Sequence, residues 1–206
     1  EILRRNLKIT FSVNARVDTA DEKLFRIMKR AGCRELLTGF ESGVQEILDR
    51  CHKNIRLEQS RRFMEMAGAA KLEVHGCFVI GLPGETRETA QKTLDFAASL
   101  KCDTLQFSGA VPFPGTAFFA TAEREGWLKT RDWSAWLSGG EQRGVVEYPG
   151  ISQEAIDYYV DKGLKSFYLR PGFMLRFLLK TRSLPDLYRK IRGGWNYFSY
   201  NMEKRR

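Results

Sequence analysis

The residues of this chain best suited to chemistry stand where apolar, β-forming runs stop. Asn14-Ala15-Arg16 closes the first such run and Glu41-Ser42-Gly43 the second. Gly81-Leu82-Pro83-Gly84-Glu85 closes the third, and Pro112-Phe113-Pro114-Gly115-Thr116 the fourth. A glutamate and an arginine at such ends are costly to desolvate unless they pair or meet a ligand. Gly81 and Gly84 let backbone approach a bound molecule, because neither carries a Cβ. Together these stretches read as the rim of a ligand site. The plainer alternatives are a mutual Arg16–Glu41 ion pair and a tight turn that holds nothing.

Other chemistry is poorly served. Cys33, Cys51, Cys77 and Cys102 lie 18, 26 and 25 residues apart, without the close spacing of a zinc or iron–sulfur site. They read as buried thiols in a reducing compartment. His52 and His75 have no ligand partner nearby in sequence, so no metal site is expected.

The elements that must position the rim follow from periodicity. Lys8–Val13, Glu35–Phe40, the run ending at Ile80 and Asp103–Ala110 read as strands. Helical segments follow at Ala20–Ala31, Val44–Arg50, Leu57–Ala70 and Thr86–Leu100, with Asp18 or Thr19 as the cap of the first and Gly32 as its stop. Lys53 lies in the link between the second and third. Repeated βα units of this kind build a parallel sheet or a barrel segment, and right-handed crossovers bring all strand ends to one rim. Residues 126–150 are loop-rich, with Trp127, Trp133 and Trp136 expected to cover the open side. Residues 151–206 read as helical: a helix capped by Ser152, a break at Pro171-Gly172, an apolar helix from Phe173 to Lys180, and a one-sided stripe of Leu184, Leu187, Tyr188 and Ile191.

The composition, 43% hydrophobic and 29% charged, is that of a globular protein, and no run approaches the roughly 20 apolar residues of a membrane span. Residues 165–206 hold 11 Lys or Arg against Asp186 and Glu203, and so carry the whole net charge of +9. They also hold 9 of the 25 aromatics. Basic residues bracketing Phe173–Leu179, with Trp195, Tyr197 and Tyr200 beyond, are the ingredients of an interfacial anchor. The expectation is a cytoplasmic protein with peripheral contact to a membrane surface or a lipid-like substrate through 165–206, and with nucleic acid disfavoured.

Taken in order, Ala15-Arg16-Val17-Asp18, Ala31-Gly32-Cys33, Gly39-Phe40-Glu41-Ser42-Gly43, Val79-Ile80-Gly81-Leu82-Pro83-Gly84-Glu85-Thr86 and Pro112-Phe113-Pro114-Gly115-Thr116 resemble the radical S-adenosylmethionine (radical SAM) enzymes. The closest resemblance is to their cobalamin-binding, Fe–S oxidoreductase class, and Asp132-Trp133 and Tyr168-Leu169-Arg170-Pro171 extend it. It implies an α/β fold made of the last four units or so of a partial TIM-type (β/α)6 barrel at 1–125, a loop-rich cover at 126–150 and a basic helical extension at 151–206. It also implies SAM contacts at Asn14 (ribose), Arg16, Glu41, Ser42, Lys53 (carboxylate), and Val79, Gly81, Leu82 and Pro83 (adenine). Pro112, Pro114 and Thr116 fall on the substrate-side loop.

The family's CxxxCxxC loop is absent from this sequence. The chain, which opens on Glu1 inside a repeating unit, therefore reads as the C-terminal part of a longer enzyme, inactive alone. The 4Fe-4S ligands and any cobalamin domain would lie upstream. The implied activity is reductive cleavage of SAM, fed by an electron-donor protein, and radical methylation, cyclisation or rearrangement of an apolar or lipid-like small molecule. Two other readings stay open: an RNA-modifying enzyme of the same superfamily, and a non-catalytic α/β scaffold.

Overall fold

In the computed structural model, residues 1–131, 145–174 and 188 are described. Expectations for Asp132-Trp133, Trp136, the apolar helix beyond Met174, the stripe at 184–191 (Tyr188 apart) and the distal aromatics fall outside these residues.

Four strands, β1 (Phe11–Ala15), β2 (Cys33–Glu41), β3 (Glu73–Ile80) and β4 (Thr104–Gly109), form one sheet in the order β1-β2-β3-β4. Every neighbouring pair is parallel. Parallel neighbours need crossovers, and helices supply them: α1 (Glu22–Arg30), α2 (Gln45–Arg50), α3 (Leu57–Ala69) and α4 (Arg87–Leu100). Helices α5 (Ala117–Arg124) and α6 (Gln153–Tyr168) follow β4. The result is the repeated βα architecture read from the sequence, with all four strand ends on one edge.

Local chemistry sets the element ends. Asp21, not Asp18 or Thr19, caps α1, accepting the Leu24 amide at 2.7 Å. Val17–Thr19 is instead a turn of 3-10 helix, with the Asp18 carboxylate committed to Arg16. Thr86 caps α4 and Thr116 caps α5 through their side-chain oxygens. Gly32, at φ 105°, closes α1 as expected.

The sheet has two unlike faces. On one, Leu36, Phe40, Val74, Phe78, Ile80, Leu105 and Phe107 are buried under the helices. Phe40 stacks on Phe78 at 5.6 Å, Phe78 meets Phe107 at 5.3 Å, and Phe63 of α3 joins Phe40 to Phe25 of α1 edge-on. Each such pair contributes about 0.5–1.5 kcal/mol beyond area burial. Gly163 lets α6 lie against the Phe107 ring, where a Cβ would come within 2.6 Å of ring carbons.

The other face carries Asn14, Leu37, Gly39 and Glu41, then His75, Cys77 and Val79, then Thr104, Gln106 and Ser108, all part-exposed or exposed. Register places Asn14 beside Leu37, Leu37 beside His75, Gly39 beside Cys77, and Cys77 beside Gln106.

The chain divides into two compact units, Glu1–Leu164 and Lys165–Arg206. Within the second, Phe173 packs against Phe167 and Tyr168, and the Arg170 guanidinium lies 4.5 Å from the Phe167 ring centre. Among the described residues no helix is long and apolar enough to cross a membrane.

Candidate functional site

The end of β2 is irregular. Register shifts between Gly39 and Glu41, and Glu41 sits at φ 64°, a left-handed conformation rare outside glycine. The bulge separates two adjacent side chains. Ser42 turns into the helix layer, where it is fully buried, shares a 3.1 Å hydrogen bond with Thr93 of α4 and accepts the Val44 amide. Glu41 stays on the open face, where its carboxylate accepts a hydrogen bond from the Lys53 ammonium at 2.7 Å.

Each side chain of that pair keeps about a quarter of its surface exposed, 26% for Lys53 and 25% for Glu41. The pair folds back over Gly39: a Cβ there would lie 2.3 Å from the Glu41 carboxylate and 3.2 Å from the Lys53 ammonium. Gly39 is therefore a cradle for opposite charges, and any larger residue would push them off the sheet.

Arg16 does not reach Glu41. It forms a two-pronged contact with Asp18, at 2.7 and 3.0 Å, which holds that exposed carboxylate below its usual range. Asn14 is exposed, and its side chain has no hydrogen-bond partner among the described residues.

The end of β3 works differently. Gly81 and Gly84 adopt φ 92° and 86°, which only glycine takes without strain. The Ile80 carbonyl accepts from the Ala110 amide at 2.7 Å, the Leu82 carbonyl from the Glu85 amide at 3.0 Å, and the Gly81 carbonyl from the Tyr148 hydroxyl at 2.7 Å. The Gly81 amide donates to the Glu85 carboxylate. With these backbone groups already paired, the turn presents shape: the part-exposed side chains of Val79, Leu82 and Pro83. The Arg50 side chain lies against Gly84.

Glu85 is 1% exposed, and its second carboxylate oxygen has no partner. Burial pushes its pKa up to about 7, against the pull of the Gly81 and Leu82 amides. Burial first, then the charges of Glu85 and Glu41, raise the Cys51 thiol. Burial likewise keeps Tyr148 a neutral donor.

The β4 end is structural where the chain is tightest. Thr116 donates to the Phe113 carbonyl at 2.6 Å and caps α5. Pro112 is buried, Pro114 is exposed, and Phe113 points outward at 58% exposure. The rim thus assembles Glu41, Lys53, Val79, Leu82 and Pro83 around Gly39 and Gly81, while Arg16, Ser42 and Thr116 are occupied elsewhere. Sequence reasoning placed Glu85 in the rim turn without a role of its own, and left Tyr148 and Arg50 out of the site. Glu85 was visible in the turn motif; nothing local marks Tyr148.

SAM is a zwitterion joined to an adenosine, and the paired charges over Gly39 and the apolar wall at Leu82 and Pro83 suit its two ends. The cysteines do not suit its usual partner cluster. Among the described residues, no three His, Cys, Asp or Glu stand close enough to hold a metal ion.

Residues 1–97, from β1 into α4, match the model of the radical SAM superfamily. An uncharacterized methyltransferase of Pyrococcus horikoshii is 32% identical over 192 residues, 93% of this chain and 41% of that protein. The chain therefore spans less than half the length of that relative. Escherichia coli coproporphyrinogen III oxidase, a radical SAM enzyme, superposes with a TM-score of 0.57 at 14% identity, over 81% of this chain and 34% of its own. The radical SAM methyltransferase TsrM of Kitasatospora setae, solved with cobalamin and a 4Fe-4S cluster, gives 0.54 at 20% identity, over 60% and 24%. At such identities the structures speak for the fold alone. Motifs, parallel sheet and family match agree on the stretch from β1 into α4: residues 1–97 match the radical SAM superfamily.

Proposed function

We propose that this chain forms the SAM-binding and substrate-facing part of a radical SAM enzyme that modifies a small molecule, with methyl transfer the leading reaction. The observation that carries the reading is the Lys53–Glu41 pair cradled on Gly39 beside the glycine turn after β3. Lys53 receives the carboxylate of the methionyl end and Glu41 its ammonium, each exchanging one charge-assisted partner for another. Val79, Leu82 and Pro83 hold the adenine face. When bound, SAM and a 4Fe-4S cluster together supply radical chemistry at unactivated carbon. The cluster's thiolates and an electron donor come from outside the residues described, and cobalamin, as in the Kitasatospora enzyme, is the candidate second cofactor.

The open sheet face supports a substrate with an apolar body and a few polar groups, since Leu37 and Val79 alternate with His75, Thr104, Gln106 and Ser108. The basic, aromatic segment 165–206 suits a lipid-like substrate or an anionic membrane surface, and co-sedimentation with liposomes, with and without that segment, tests this.

Calorimetric titration with SAM tests the main reading. A charge-assisted hydrogen bond contributes roughly 1.5–3 kcal/mol, so Lys53→Ala or Glu41→Ala should weaken binding about tenfold or more. Unchanged affinity in both variants would remove the assignment.

A further inference from the structure

We infer that Tyr148 is a positioning residue for the adenosine end of the ligand, acting through the Gly81 peptide and not by touching the ligand. The inference rests on the SAM-binding reading above and extends it to a residue outside the family-matched span of 1–97.

The Gly81 residue is held from two sides. Its amide donates to Glu85 and its carbonyl accepts from the buried Tyr148 hydroxyl at 2.7 Å. Behind it, Ile156 of α6 fills the place a Cβ would occupy, 2.6 Å away. Tyr148 is itself fixed. Its backbone pairs reciprocally with Ile151, and its ring meets Trp127 edge-on at 4.8 Å. Gly150 draws this segment against the Glu85 carbonyl, which a Cβ would approach to 2.9 Å.

Glycine at positive φ has the widest conformational freedom of any residue, and a turn of Gly-Leu-Pro-Gly would otherwise sample several shapes. With both polar groups of Gly81 tied, the wall of Leu82 and Pro83 is set before a ligand arrives. Binding then does not have to order it. The Lys53–Glu41 pair needs no such help, so the two ends of the ligand should respond differently to loss of the tyrosine hydroxyl.

The test is titration of the protein with two probes, 5′-methylthioadenosine for one end and methionine for the other, comparing wild type, Tyr148→Phe and Lys53→Ala. Tyr148→Phe should weaken methylthioadenosine about fivefold to tenfold and leave methionine unchanged; Lys53→Ala should do the reverse. Equal affinity of wild type and Tyr148→Phe for methylthioadenosine overturns the inference while leaving the SAM reading intact. Failure of wild type to bind either probe overturns both. Should Tyr148→Phe not fold, deuterium exchange of wild type decides. Saturating methylthioadenosine should slow exchange at 145–151 as well as at 80–86, and protection confined to 80–86 counts against the coupling.

Discussion

The ends of β2 and β3 are neighbours on one edge, yet they are built on opposite plans. At β2 a strained, bulged backbone presents two charged side chains that hold each other at 2.7 Å and remain a quarter exposed. At β3 the side chains are apolar and the polar work is done by backbone tied to Glu85, Tyr148 and Ala110. The first end can exchange partners at small cost, because each charge is already near its replacement. The second cannot change without breaking buried hydrogen bonds. A part-exposed charged grip beside a fixed apolar wall suits a ligand whose charge lies at one end and whose flat surface lies at the other.

The sharpest way to break this contrast is Gly81→Val. A branched residue at φ 92° facing Ile156 combines backbone strain with overpacking, and should cost roughly 4 kcal/mol in denaturant unfolding. A variant as stable as wild type would mean that the β3 end is not fixed at all.

Glu85 gives the next largest effect. Its folded pKa of about 7 lies above the unfolded value near 4.5, so the folded state holds a proton that the unfolded state has lost between those pH values. Stability must therefore fall as pH rises through that window, by about 3 kcal/mol from this group. Glu85→Gln should flatten that part of the stability curve measured between pH 5 and 8, and an unaltered slope would contradict the assignment.

At β2 the same kind of experiment should show little. A double-mutant cycle of Glu41→Gln and Lys53→Met, read by unfolding without ligand, should give a coupling of about 1 kcal/mol or less, since the pair is part-exposed. Smallest of all is Arg16→Ala. Its guanidinium is largely exposed in the pair with Asp18, and the melting temperature should barely move.

Much of the fold was legible because its signals are local. Phe78 and Ile80 before a Gly-Leu-Pro-Gly turn, Thr86 at a helix start and Gly32 at a helix end each act within a few residues of themselves. Asp21 was missed as the cap because Asp18 and Thr19 offer equally good oxygens, and only the Arg16 contact decides between them. The rim's membership was harder. Ser42 and Glu41 are adjacent and both polar, and the bulge that sends one inward and the other outward has no mark in the residue types. Arg16 and Lys53 compete for the same glutamate on paper; chain geometry gives it to Lys53. Tyr148 could not be found at all, since its partner lies 67 residues away.

That separation also orders events during synthesis. The ribosome delivers β1 to β4 with their crossover helices first, and the phenylalanine layer joining Phe40, Phe78 and Phe107 can close as soon as residue 109 is available. The turn at Gly81 must then wait for Tyr148, and for Ile156 beyond it, before it is held. A nascent chain stalled between those points would carry these four strands paired and the turn after β3 still untied. Maturation of the turn after β3 is thereby tied to arrival of a segment that lies outside it.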